Sequence, residues 1–311
     1  MSDRQKIRIP AILGPTAVGK TELCLRLATE LQGEIISCDS RQIYRHMDIG
    51  TAKPSREEQA RVRHWLIDII DPSDAYSAYQ FSEDTLRILR QKSEKSVVKI
   101  LCGGTGLYFQ SLCEGVGPQV ASDPDFREAC KRKAAEKGND VLYRELQRCD
   151  PKTAARLHPN DVQRVIRALQ VFHETGKPLT DHLGNKKSPG DCVFRAFVLM
   201  SPREELYNRI NRRVDQMMAA GLWEEFQSIR KKGYTREDPG MHCVGYKELF
   251  PVEKGIWSLS DAVEKIKKNS RHYAKRQITW FKNKTIAEVV DITQPDAFQY
   301  IKDKVCRFIE G

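Results

Sequence analysis

Short apolar-rich runs punctuate the chain at Ile7–Leu13 (IRIPAIL), Glu34–Ser37 (EIIS), Val97–Cys102 (VVKILC) and Val193–Met200 (VFRAFVLM). Runs this short, with amphipathic stretches between them, predict buried strands of a parallel sheet covered on both faces. Thr21–Leu31 repeats its apolar residues at helical spacing and predicts the helix after the first strand. The first third therefore alternates strand and helix, the pattern of an α/β fold. Catalytic residues in such sheets stand beyond the carboxyl ends of the strands.

Between Ser122 and Pro189 the rhythm changes. The stretch is charged and helical in pattern, with breakers at Pro124, Gly138, Pro151, Pro159 and Gly176. Gln163–Thr175 predicts one helix, closed by Gly176 with Pro178 beyond. The simplest organisation is a sheet core over 1–121, an all-helical insertion over 122–190, and the rest of the core over 191–311. After Pro202 the pattern is mostly helical.

The last long helix is expected over Asp261–Asn283. At 100° per residue, Lys265, Lys268, Arg271, His272, Lys275, Arg276 and Lys282 share an arc of about 140°. Ile266, Tyr273, Trp280 and Phe281 point the other way. No acid occurs between Lys265 and Lys282. An ordinary solvated face mixes signs, so this one fits nucleic acid better.

The net charge of +10 and isoelectric point near 9.1, with 30% charged residues, fit a polyanion partner or simply a basic protein. Nine cysteines are scattered singly with no C-x-x-C pair. That argues against zinc or a redox dithiol and for small core residues in a reducing cytosol. No apolar leader and no membrane-spanning run is evident, so a soluble, cytoplasmic and monomeric protein is expected.

Candidate chemistry begins at Gly14-Pro15-Thr16-Ala17-Val18-Gly19-Lys20-Thr21, which fills G-x-x-x-x-G-K-[ST] between a predicted strand and a predicted helix. Its backbone N–H groups and the helix N-terminus would cradle phosphate, with Lys20 on the terminal phosphate and the Thr21 hydroxyl on Mg²⁺. Asp39, at the next strand end, is placed to hold Mg²⁺ through water, to act as a general base, or only to cap a turn. Gly103-Gly104-Thr105-Gly106 ends another strand. Met47–Pro54 (MDIGTAKP) is a polar, glycine-broken loop, suited to binding or to plain connection. Arg209 and Arg213 share a helix face, either solvated or clamping a leaving group.

In this order, GPTAVGKT, DSRQIYRHMDIGTAKP (39–54), HWLIDIIDP (64–72), GGTGLY (103–108), QRVIRALQV (163–171), RINRRVDQMMAAGL (209–222), VGYKEL (244–249) and AKRQITWF (274–281) resemble the tRNA dimethylallyltransferases, of the compact bacterial type. The resemblance implies a P-loop-type parallel sheet flanked by helices, with an inserted all-helical subdomain gripping the tRNA anticodon stem-loop. It implies transfer of the dimethylallyl group of dimethylallyl diphosphate to N6 of adenosine 37, with Mg²⁺ as cofactor. Gly14 to Thr21 would bind diphosphate, joined by Arg213. Asp39 would be the general base. RNA-contacting positions would be Asp39, Ser40, Arg41, Gln42, Thr105, Arg127, then Gln163, Arg164, Val165, Ile166 and Arg167. They continue with His242, Cys243, Val244, Gly245, Tyr246, Lys247, Lys275, Arg276, Gln277, Ile278, Thr279, Trp280, Phe281 and Lys282. A P-loop kinase or NTPase, and a nucleotide-regulated RNA-binding protein, are the competing readings.

Overall fold

The computed structural model describes residues 6–91, 97–115, 123–183 and 189–311. Tertiary contacts divide the chain into two units: Met1–Cys113 with Gly190–Gly311, and Glu114–Pro189.

The first unit opens with β1 (Ile7–Leu13), α1 (Lys20–Glu30), β2 (Glu34–Cys38), α2 (Arg56–Arg61), β3 (His64–Trp65), α3 (Ala78–Leu89), β4 (Lys99–Gly103) and α4 (Gly106–Glu114). The second unit holds α5 (Pro124–Lys137), α6 (Asn139–Cys149), α7 (Pro151–Ala154), α8 (Val162–Thr175) and α9 (Leu179–Leu183). The first unit resumes with β5 (Cys192–Met200), α10 (Arg203–Ala219), α11 (Leu222–Lys231), α12 (Phe250–Glu253), α13 (Leu259–Lys284), β6 (Glu288–Asp291) and α14 (Ala297–Glu310).

Among the described residues six strands form one parallel sheet in the order β3-β2-β4-β1-β5-β6. Side-chain alternation along the strands divides the core. Ile12, Ile35, Ile100 and Phe197 pack on one face beside residues of α1, α10 and α14. Leu13, Ile36, Leu101 and Val198 pack on the other, beside residues of α3 and α4. A third cluster joins Ile43, Tyr44 and Met47 to residues of α10, α11 and α13. Strands covered on both faces explain the continuous apolar runs.

The four strands expected from apolar runs are present, with β4 beginning at Lys99 rather than Val97. β3 and β6 are additional: β3 has two residues, and β6 (EVVD) carries acids at both ends.

The second unit is all-helical, built on Leu142, Leu146, Val165, Ile166 and Leu169. Gly176 closes α8 at φ 67°, as its position past the last apolar residue predicts. In the first unit, a Ser258/Asp261 capping box starts the 26-residue α13. Among the described residues no helix is long and apolar enough to cross a membrane.

Candidate active site

Register decides what meets at the carboxyl edge of the sheet. Leu13 pairs with Gly103, and Gly103 with Cys38. The residues that follow, Gly14, Gly104 and Asp39, therefore emerge side by side. Gly14 adopts φ +148°, and a Cβ there would lie 2.6 Å from the Leu199 carbonyl oxygen. The chain then turns through Ala17 at φ 63°, and α1 begins at Lys20. Loop amides and a helix N-terminus thus converge on one point, an arrangement that favours anions.

Two cations stand there with no described carboxylate paired to either. The Lys20 Nζ donates to the Pro15 carbonyl at 2.7 Å. Burial pulls its pKa from the ordinary lysine value to about 8; Cys102 and Asp39 oppose that shift, and Arg213 adds to it. Arg213, on α10, makes no hydrogen bond or ion pair with any described residue. Burial lowers its pKa too, against the pull of Asp39. Its helix neighbour Arg209 is engaged differently, donating to the Val18 carbonyl at 3.2 Å and pairing with Glu205 at 3.0 Å. The two arginines are therefore not equivalent: Arg213 is the one left free for a ligand.

Arg213 lines three adjoining cavities. The inner one, about 330 Å³, also touches Thr16, Asp39, Thr51, Tyr273 and Arg276, with an apolar wall of Ile210, Val214, Met217 and Ile266. The outer one, about 640 Å³, is polar and touches Gly19, Lys20, Thr21, Arg209 and Arg212. A third, about 440 Å³, runs beneath the loop at 48–56.

Asp39 has one oxygen committed. Its Oδ1 accepts the backbone N–H of Arg41 at 2.8 Å and of Gln42 at 3.4 Å, so it does cap the turn. Its Oδ2 accepts from no described residue. One carboxylate thus both fixes its own turn and keeps an oxygen open beside the inner cavity. The Ser40 N–H donates to Thr105 Oγ1 at 3.0 Å, joining this turn to the loop after β4.

The loop at 48–54 is held by residues that its own sequence does not reveal. Glu225 on α11 accepts the N–H groups of Asp48 at 2.9 Å, Ile49 at 2.8 Å and Gly50 at 3.2 Å. It also accepts the Tyr246 hydroxyl at 2.6 Å. Lys53, with its side chain 3% exposed, donates to the Tyr44 carbonyl and to Asp48. Nothing in the pattern of α11 marks Glu225, because its partners in the loop lie about 175 residues away in sequence.

The RNA-contact set divides by burial. Gln163, Arg164, His242, Lys275, Arg276, Thr279 and Lys282 are exposed. Ser40, Arg41, Gln42, Thr105, Arg127, Arg167, Val244, Lys247, Ile278 and Trp280 are half-buried. Val165, Ile166, Cys243, Gly245, Tyr246, Gln277 and Phe281 are buried, although Cys243 and Gly245 still line the inner cavity. A motif taken as an unbroken block includes the inward face of its helix, so Val165 and Ile166 pack in the core of the second unit. In that unit Arg127 Nε donates to Gln170 Oε1 at 3.1 Å, and Arg164 pairs with Asp161 at 3.3 Å. Along α13, Lys265, Lys268, His272, Lys275, Arg276 and Lys282 are exposed and unpaired with any described carboxylate.

A family model described as IPP transferase matches residues 42–284. The chain belongs to that family. A tRNA dimethylallyltransferase of Bacillus cereus (strain B4264) is 42% identical over 312 residues, covering 100% of this chain and 97% of the relative. One from Geobacillus thermodenitrificans (strain NG80-2) is 42% identical over 305 residues, covering 98% and 96%. The full-length tRNA isopentenylpyrophosphate transferase of Bacillus halodurans superposes with a TM-score of 0.72 at 38% identity, covering 98% of this chain and 97% of that one. A eukaryotic dimethylallyltransferase acting on tRNA gives a TM-score of 0.81 at 28% identity, covering 95% of this chain and 77% of that one.

Proposed function

We propose that this protein transfers the dimethylallyl group of dimethylallyl diphosphate to N6 of adenosine 37, the base 3′ of the tRNA anticodon. The observation that carries the reading is the pairing of an unpartnered Arg213 with the open oxygen of Asp39 across one partly apolar cavity. It occurs in a chain whose close relatives are named tRNA dimethylallyltransferases.

The loop from Gly14 to Thr21 holds the diphosphate, with Lys20 and Arg213 neutralising it. The allylic C–O bond breaks, and its electron pair leaves with the diphosphate. The N6 lone pair forms the new N–C bond, and N6 gives up a proton to Asp39. That lone pair is delocalised into the ring, so a base positioned to take the proton contributes about 10²–10⁴-fold. Donors aimed at the departing charge contribute about 10²–10³-fold each. The adenine leaves its stack to reach the cavity.

The exposed Thr21 hydroxyl shares the outer cavity with Glu22 and Glu58, an all-oxygen donor set that fits Mg²⁺ through water. When bound, the ion would add to the neutralisation of the leaving diphosphate. The free cations of α13, with Arg127, Gln163, Arg164 and Arg167 of the second unit, are assigned to the anticodon stem-loop.

The test is incubation with labelled dimethylallyl diphosphate, Mg²⁺ and unmodified tRNA. Label on the base beside the anticodon supports the reading. ATP hydrolysis with no label transfer would sink it in favour of a P-loop NTPase.

A further inference from the structure

From the middle of α13, Gln277 reaches two loops of the site at once. Its Oε1 accepts the Thr16 N–H at 2.9 Å, and its Nε2 donates to the Gly104 carbonyl at 2.9 Å. The residue is 7% exposed. A Cβ on Gly104 would lie 2.3 Å from Nε2, so the amide fits only because residue 104 has no side chain. One residue on, Thr105 holds the Ser40 N–H beside Asp39. A single buried amide therefore ties the long helix to the diphosphate loop and, through one more hydrogen bond, to the turn that carries Asp39.

The contact is specific to an amide. Thr16 presents a donor and Gly104 an acceptor. A glutamate would satisfy the first but set oxygen against oxygen at the second. Two turns of the same helix expose Lys275 and Arg276 just before Gln277 and Lys282 just beyond it. The rod that carries the cationic row thus also holds the loop that binds the leaving group. Ordering either end restricts the other, and linkage makes the effect reciprocal.

We infer that Gln277 is a positioning residue that couples RNA occupancy of α13 to diphosphate affinity at the Gly14–Thr21 loop. The inference rests on the proposed function. The unreactive pair of inorganic pyrophosphate and unmodified anticodon stem-loop RNA isolates it from the chemistry.

Pyrophosphate binding to the full chain, with Mg²⁺, is measured by calorimetry with and without the stem-loop. In the unsubstituted protein the RNA tightens pyrophosphate by about tenfold, within the ordinary range of such couplings. In Gln277→Glu and Gln277→Ala the coupling falls to within about twofold of none, while affinity for the stem-loop alone changes by less than about twofold. Gly104→Ala displaces the same amide from the opposite side and reproduces the loss if either Gln277 variant melts below the assay temperature. Folded variants that keep the full coupling overturn the inference, as does an unsubstituted protein that binds both ligands independently. A protein that binds neither overturns the proposed function, and the inference with it.

Discussion

Arg213 and Lys20 stand together at the outer cavity, each repelling the other's charge, with no described carboxylate paired to either. Two half-desolvated cations held this way cost stability unless an anion arrives. Evolution normally pairs such groups, so an unpaired set marks a ligand site.

Arg213→Met removes one of the two. It should lower transfer about 10²–10³-fold, the usual loss for one donor to developing charge. The free protein should melt at the same temperature or higher, because a charge without a partner has been removed. Steady-state rates and thermal melts check both halves. A normal rate, or a large drop in melting temperature, would mean that Arg213 is structural.

Lys20 makes the site pH-sensitive. Its folded-state pKa of about 8 lies below the unfolded value of 10.5. Between those pH values the unfolded chain holds a proton that the folded chain has released, so the free protein gains stability as pH rises through the window. Catalysis runs the other way, since diphosphate needs the ammonium. The apparent kcat/KM for dimethylallyl diphosphate should fall above about pH 8, and Lys20→Arg should flatten that limb. Melting curves of the protein and of Lys20→Met that stay parallel from pH 8 to 10 would contradict the assignment.

Glu225 supports the site from outside it. Glu225→Ala strips the acceptor from three backbone N–H groups and from Tyr246, at a cost of about 1–3 kcal/mol for the groups left unsatisfied. Urea unfolding should show that loss, and KM for the donor should rise as the loop at 48–54 loosens. Glu225→Gln, which keeps one acceptor oxygen, should recover part of both. A variant with unchanged unfolding midpoint would show that the loop holds itself.

Much of this arrangement was legible in the sequence, and the exceptions have physical causes. The G-x-x-x-x-G-K-[ST] spacing between an apolar run and an amphipathic one located β1, the loop and α1, because Gly14 and Gly19 take φ of +148° and +105°, which glycine adopts without strain. β6 escaped because a four-residue edge strand carries too few apolar positions to set a period. Gln277 shows two signals in conflict: at 100° per residue it falls among Tyr273, Trp280 and Phe281, facing inward, whereas the motif block grouped it with RNA contacts. Periodicity was the better guide to its burial. The freedom of Arg213 and the reach of Glu225 were not legible at all. Each is a statement about which distant groups are, or are not, nearby.

RNA binding should depend on the exposed row of α13. Lys268→Ala with Lys275→Ala should weaken binding to stem-loops of any sequence alike. It should also flatten the dependence of log K on log salt by about 1.4, two phosphates' worth on single-stranded RNA. An unchanged salt slope would place the RNA elsewhere.

The most direct test of the site is Asp39→Asn under single-turnover conditions, with saturating tRNA and labelled dimethylallyl diphosphate. An asparagine keeps Oδ1 to accept from Arg41 and Gln42, so the turn persists while the proton acceptor is lost. The transfer rate should fall by about 10²–10⁴-fold, with both dissociation constants within about twofold of the parent protein. Transfer at the parent rate would contradict the account, because the open oxygen of Asp39 would then not be the base.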